Sequence, residues 1–396
     1  MRTTFIKEEP MFHRLLRLPL ESHTSIFLFG PRGTGKTSWL RTHLPDAKYI
    51  DLLKFTNYSS LAANPSRLEQ MISPSNTKWI IIDEVQRIPE LLNEVHRLIE
   101  EKGYRFILTG SSARSLKRRG VNLLAGRAFR YFMHPLTAQE IGSDFSLPHA
   151  LHYGLLPTAV THENPRQYLE NYVQTYVREE VLQEGLTRNI GTFTKFLEAA
   201  SFSQGNIITM TDIGRELGLT RFTVANYFAI LEDLLLSIRI GPFTHRAKRK
   251  LIAHEKFYFF DTGVYRSLRP LLPLDKQEEV DGAALETLFL QSVRAINDYL
   301  VLDYKIYFWR TVNGQEVDFV LYGPKGLLAF EIKRTANVTP KMFRALRSFS
   351  EDYPEAKLYM LYLGDHIEYY DTLTALPFEQ ALLQLPKLLQ LQNIEL

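Results

Sequence analysis

Two clusters of residues in this chain have the types and spacing to do chemistry. The first is Gly30-Pro31-Arg32-Gly33-Thr34-Gly35-Lys36-Thr37, directly after the apolar run IFLF. It satisfies G-x-x-x-x-G-K-[ST], a loop whose glycines let backbone N–H groups curl around phosphates at the positive end of the following helix. Lys36 would neutralise the β- and γ-phosphates of ATP, and Thr37 would ligate Mg²⁺. Further on, the run Trp79-Ile80-Ile81-Ile82 ends in Asp83 and Glu84. Carboxylates at that end of a buried strand lie where ligands of open α/β sheets bind. Asp83 would hold Mg²⁺ through its water shell, and Glu84 would polarise the attacking water. The run FILTG ends in Thr109, Gly110 and Ser111, and a hydroxyl at Thr109 or Ser111 could sense the γ-phosphate.

The second cluster lies near the C-terminus. Glu286 sits in a helical pattern over about 281–299. The strand-like runs YKIYFWR, QEVDFVLY and LLAFEIK follow, with Asp318 in one and Glu331-Ile332-Lys333 closing the next. Period-two alternation puts Glu331 and Lys333 on one face, and Glu316 on the face of Asp318. This D-x₁₂-E-x-K pattern resembles the PD-(D/E)XK nuclease superfamily, in particular the branch that includes archaeal Holliday-junction resolvases. In that reading Glu286, Asp318 and Glu331, with the Ile332 carbonyl, are hard oxygen ligands for Mg²⁺ or Mn²⁺. Lys333 would assist the water that attacks a DNA phosphate. The competing reading keeps the fold as a module that binds DNA or protein and cuts nothing.

Basic residues cluster in two places. Arg114, Lys117, Arg118, Arg119, Arg127 and Arg130 form a run without an acid. Most of them read as a solvated face or a channel for a nucleic-acid backbone. Arg127, in LAGRAFR, is the best placed as an arginine finger reaching a neighbouring subunit's γ-phosphate. The stretch 211–231 has the form of a helix-turn-helix: Thr211 or Asp212 caps the first helix, Gly218 turns, and Thr220 caps the second. Val224, Phe228 and Leu231 make its buried stripe. Arg221, Thr223 and Asn226 would face DNA, while Arg246, Lys248, Arg249 and Lys250 in a following wing would grip phosphates; alternatively the module packs against the ATPase.

The elements that must position these groups follow from patterning. Ile26–Phe29, Lys48–Leu52, Trp79–Ile82, Phe106–Thr109 and Phe129–Met133 read as strands of a parallel sheet covered on both faces. The expected fold class is α/β: a P-loop ATPase domain over 1–150, a helical winged-helix domain over 151–274, and an α/β nuclease-like domain over 275–396. Pro270, Pro273 and the charged run 275–281 mark the second boundary. The 396 residues carry 47 Lys and Arg against 44 Asp and Glu, a net charge of +3, too small by itself to point to a polyanion. Without cysteine there is no disulfide, thiolate metal site or cysteine nucleophile. No apolar run is long enough to span a bilayer, and the N-terminal segment combines acids with a helical pattern, so a cytoplasmic protein without a membrane partner is expected.

The run FLFGPRGTGKT…WIIIDEVQRIPELLNEVHRLI…FILTGSSARSLKRRGVNLLAGRAFRYFMHPLTAQEI resembles prokaryotic AAA-type ATPases of the GPRxxGKT/DEVQ kind, related to the archaeal ATPase group. The resemblance implies an ATPase core that acts as a homo-oligomer, with a ring as one arrangement open to it. Together the residues predict an ATP-driven enzyme acting on DNA, branched DNA included. The rival is a regulatory ATP switch with an inert docking module behind it.

Overall fold

A computed structural model of the chain describes residues 12–72, 78–112, 124, 126–177, 181, 189–245, 251, 254–270 and 276–392. Arg114, Lys117, Arg118, Arg119, Arg246, Lys248, Arg249, Lys250 and Pro273 lie outside these residues.

Five strands form the first sheet: β1 (Ser25–Phe29), β2 (Lys48–Asp51), β3 (Ile80–Asp83), β4 (Phe106–Gly110) and β5 (Ala128–Phe132). Their order is β2-β3-β4-β1-β5, and every neighbouring pair is parallel. The central strands β1, β3 and β4 are buried throughout, while the edge strands are not, which is why only the inner three read as unbroken apolar runs. Alternate residues serve opposite faces. Phe27, Phe29, Ile82 and Leu108 enter one core, and Ile26, Leu28, Ile81 and Ile107 the other.

In the middle segment the helices Met210–Leu217 and Arg221–Asp233 meet at Gly218, whose φ of 67° suits glycine. Thr220 caps the second helix as expected, its hydroxyl accepting from the Thr223 N–H at 3.1 Å. The first helix begins two to three residues earlier than read: Thr209, not Thr211 or Asp212, is its N-cap. Val224, Phe228 and Leu231 are fully buried. A hairpin follows, β6 (Ser237–Pro242) paired antiparallel with β7 (Lys256–Phe259).

That hairpin is not a free wing. Gly241 and Pro242 pair in parallel with Tyr307 and Phe308 of β8 (Lys305–Arg310), so β6 and β7 form one edge of the C-terminal sheet. The sheet continues through β9 (Glu316–Gly323), β10 (Gly326–Lys333), β11 (Lys357–Tyr362), β12 (Glu368–Tyr370) and β13 (Leu373–Pro377), in the order β12-β13-β11-β10-β9-β8-β6-β7. The helix Gln277–Tyr299 covers one face: Leu285, Leu288, Phe289 and Val293 pack with Phe319, Leu328 and Phe330. Its last turn reaches the first sheet, where Ala295 and Tyr299 join the core of Ile26 and Leu28. Residues 12–19 adopt no helix, contrary to their helical pattern. Their conformation is set instead by Arg14, whose buried guanidinium bonds to four partners described below. Among the described residues no helix is long and apolar enough to cross a membrane.

Candidate functional site

The phosphate loop bridges β1 and the helix Lys36–His43. Gly33 and Gly35 take φ of 82° and 94°, and a Cβ on Gly30 would stand 2.3 Å from the Met133 carbonyl oxygen, so glycine is required at all three. Inside the loop the Thr34 hydroxyl donates to the Pro31 carbonyl at 2.9 Å, and the buried Lys36 ammonium donates to the carbonyls of Gly30 (2.7 Å) and Pro31 (3.1 Å).

Although β4 separates β1 from β3, the carboxylate at the end of β3 reaches the start of the Lys36 helix. The Thr37 hydroxyl donates to Asp83 Oδ2 at 2.9 Å. Asp83 is buried and also accepts from the hydroxyls of Tyr49 and Thr109. Burial, reinforced by the neighbouring Asp83, pushes the Tyr49 hydroxyl pKa well above its ordinary value, so it remains a donor. Glu84 sits next to them in a left-handed conformation (φ 62°), a strained state for a residue with a Cβ and one that concentrates at functional sites. The Gln86 amide bridges Glu84 to the Ser111 hydroxyl, the latter at 3.1 Å. A cavity of about 700 Å³ opens here, lined by Arg32, Gly33, Lys36, Thr37 and Glu84, with Phe12, Leu136, Pro157 and Thr158 on its apolar side. Its volume is in the range of small-molecule sites.

The structure thus brings together Gly30, Pro31, Arg32, Gly33, Thr34, Gly35, Lys36, Thr37, Asp83, Glu84, Thr109 and Ser111. Sequence reading missed Tyr49, Gln86 and Arg14. Arg14 donates to the Thr34 carbonyl (2.7 Å), the His134 carbonyl (2.6 Å), Glu140 (3.0 Å) and the Tyr299 hydroxyl (2.9 Å). Burial opposes its charge, but Tyr299 and Glu140 outweigh that, and its pKa is raised. Arg127 is absent from this site. It stands at the opposite end of β5, paired with Glu100 of its own chain.

The C-terminal residues also converge, with neighbours that sequence reading missed. The Ile332 N–H donates to Asp318 Oδ2 at 2.7 Å, and the Lys333 ammonium lies 2.5 Å from Glu331 Oε1. The Tyr258 hydroxyl donates to Glu286 at 2.6 Å. Lys256 of β7, buried in full, pairs with Glu316 and lies 3.8 Å from Glu286. Asp318 and Glu331 are buried, and burial raises both pKa values, with Asp318 adding to the rise at Glu331. Burial, then the charge of Asp318, lifts Glu286 to about 7. For Lys256 and Lys333 the surrounding carboxylates outweigh burial and raise the pKa. Among the described residues, no group of three or more Asp, Glu or His side chains is disposed to hold a metal ion. The expected ligand set of Glu286, Asp318 and Glu331 is therefore present but threaded with lysines, and it does not fit Mg²⁺ or Mn²⁺ as it stands.

In the middle segment Arg221 is exposed, Asn226 is half-buried, and Thr223 is drawn into the helix cap. Two basic residues on either side of 246–250 are used internally: Arg239 pairs with Glu232 and Glu255, and Lys256 is the buried lysine above.

Residues 22–142 match the family model of an AAA domain. The N-terminal unit is built as a P-loop ATPase core. Residues 144–278 and 281–381 match two distinct domains of unknown function. An uncharacterised protein of Mycobacterium bovis is 28% identical over 377 residues, covering 93% of this chain and 83% of that protein. One of Methanocaldococcus jannaschii is 22% identical over 80% of this chain and 76% of its own length. Among solved structures, the Aeropyrum pernix ORC1 protein in complex with DNA aligns with 62% of this chain and 86% of that chain. Its 14% identity and TM-score of 0.29 carry no argument about this chain.

Proposed function

We propose that this chain hydrolyses ATP at the Lys36–Asp83 site and uses the cycle to remodel DNA held by its middle and C-terminal segments. The observation that carries the reading is the convergence of Lys36, Thr37, Asp83 and Glu84 on one cavity. The loop N–H groups and Lys36 would hold the phosphates, and Thr37 and Asp83 would hold Mg²⁺, which supplies charge neutralisation of the phosphate oxygens. Glu84 would take the proton of the attacking water, oriented through Gln86 and Ser111. Apolar contacts from Phe12, Leu136 and Pro157 suit a nucleobase.

The DNA part is supported by the helix Arg221–Asp233, whose first turn presents Arg221 and the 84%-exposed Phe222 to solvent, and by the basic residues 246–250 that follow β6. Homo-oligomerisation would be needed for Arg127 to serve another subunit's nucleotide. For the C-terminal unit we favour the binding module over the metal-dependent nuclease, because lysine ammoniums pair with the acids that a metal would need.

Gel shifts on linear and four-way-junction DNA across a salt series test the DNA reading. Replacing Arg246, Lys248, Arg249 and Lys250 with Ala should weaken binding to all sequences alike and reduce the salt slope by about one unit per lost phosphate contact. Unchanged affinity and slope would remove this stretch from DNA contact. Tighter binding of the junction would support branched DNA as the substrate, and equal binding would count against it.

A further inference from the structure

We propose that Lys256 is the built-in cation of the C-terminal acidic cluster, so that this centre neither needs nor takes a divalent metal. The inference is separate from the ATP reading and would hold if that failed.

Four carboxylates meet here: Glu286 from the long helix, Glu316 and Asp318 from β9, and Glu331 from β10. These buried acids act on one another's charge, and such acids repel unless cations are interleaved. The chain supplies three. Lys256 bridges Glu316 and Glu286, Arg310 lies 3.1 Å from Glu316, and Lys333 pairs with Glu331. Four negative charges against three positive leave a formal balance of −1, which creates little demand for an added divalent ion.

The positions of the donors make the same point. Glu286 accepts the Tyr258 hydroxyl, Asp318 accepts the Ile332 N–H, and one Glu331 oxygen is taken by Lys333, leaving Glu331 Oε2 as the buried oxygen with no hydrogen-bond partner. Each of the three expected ligands thus has an oxygen already engaged by a donor of this chain, with which a metal would have to compete.

Lys256 is also held where it is. It is 2% exposed, its ammonium stands 5.5 Å from the centre of the Phe308 ring, and β7 around it is buried along its whole length. A metal entering between Glu286, Glu316 and Asp318 would have to displace an ammonium that is buried and already paired with these acids. The backbone at Gly205 also closes over Glu286: a Cβ there would stand 3.3 Å from its Oε2. Lys256 and Tyr258 alternate with Phe257 and Phe259, so one face of β7 delivers both polar groups to the cluster while the other packs the core of the middle segment. The cluster thereby works as an ionic clasp between that hairpin and the C-terminal sheet.

Mn²⁺ binding to the full-length, nucleotide-free chain, followed by electron paramagnetic resonance, tests this. Wild type and Asp318→Asn should leave the same fraction of Mn²⁺ free, and Mn²⁺ should shift their melting temperatures equally. Lys256→Met, which keeps the stem and removes the charge, should gain a stoichiometric Mn²⁺ that raises its melting temperature. Adding Asp318→Asn should abolish that gain. If Lys256→Met does not fold, the comparison of wild type with Asp318→Asn decides alone. Stoichiometric Mn²⁺ in wild type that Asp318→Asn loses would overturn the proposal. So would a folded Lys256→Met that takes up no metal, or Mn²⁺-dependent nicking of supercoiled DNA that Asp318→Asn abolishes.

Discussion

Asp83 is the most shared side chain of the ATP site, accepting from Thr37, Thr109 and Tyr49 at once. Such a carboxylate is oriented by its donors, and an oriented carboxylate binds a cation better than a free one. Tyr49→Phe removes one donor while keeping the ring. It should lower Mg²⁺ affinity in the nucleotide complex by about 10–100-fold, with nucleotide binding in the absence of metal little changed. Titration of fluorescent nucleotide binding with and without Mg²⁺ measures both. Lys36, Thr37, Asp83 and Glu84 were legible because phosphate chemistry fixes their types and their place after apolar strands. Tyr49 was not: it lies in β2, an edge strand, and meets Asp83 only once β2 and β3 pair. Lys256 was passed over for a similar reason. It opens a strand-like run, KFYFF, whose pattern speaks only of a strand, and its acidic partners lie on other elements that tertiary structure brings to it.

Arg14 and Asp261 show how a single buried polar group fixes whole elements. Arg14 ties residues 12–19 to the phosphate loop, to the end of the first sheet and to the helix Gln277–Tyr299. Arg14→Ala would leave the buried Glu140 without its cation and should cost about 3–5 kcal/mol of stability, read by denaturant unfolding. Asp261 caps the helix Thr262–Leu268 through the Gly263 and Val264 N–H groups and accepts the Leu155 N–H at 2.8 Å. Gly154 must be glycine beside it, since a Cβ would fall 2.1 Å from the carboxylate. Burial raises the Asp261 pKa from 3.8 to about 6. The folded state therefore binds the proton more tightly. The stability this contributes is complete below about pH 4 and is lost as pH rises through 6, about 3 kcal/mol in all. Asp261→Asn cannot ionise, so its stability curve should lack that fall between pH 4 and 6; an unchanged slope would assign the effect to other groups. At this scale the strands of the first sheet and the turn at Gly218 were readable, because apolar runs and a left-handed glycine are local signals. The pairing of β6 with β8 was not, since it joins segments some 65 residues apart.

Over the whole molecule, the helix Gln277–Tyr299 touches both chemistries. Tyr299 meets the arginine that holds the phosphate loop, and Glu286, about 20 Å along the same helix at 1.5 Å per residue, meets Lys256. Tyr172 of the middle segment adds a second connection, its hydroxyl donating to the Arg32 carbonyl at 2.8 Å. The phosphate loop is thus hydrogen-bonded, directly through Tyr172 and by way of Arg14 to Tyr299, to both following segments. This coupling has meaning only if the loop turns ATP over, so the most direct test is steady-state phosphate release by the full chain and its Glu84→Gln variant, with nucleotide binding measured alongside. The account predicts that Glu84→Gln binds ATP with wild-type affinity and loses about 100–10,000-fold in turnover, whereas Lys36→Ala fails to bind. Turnover of Glu84→Gln equal to that of wild type would contradict it.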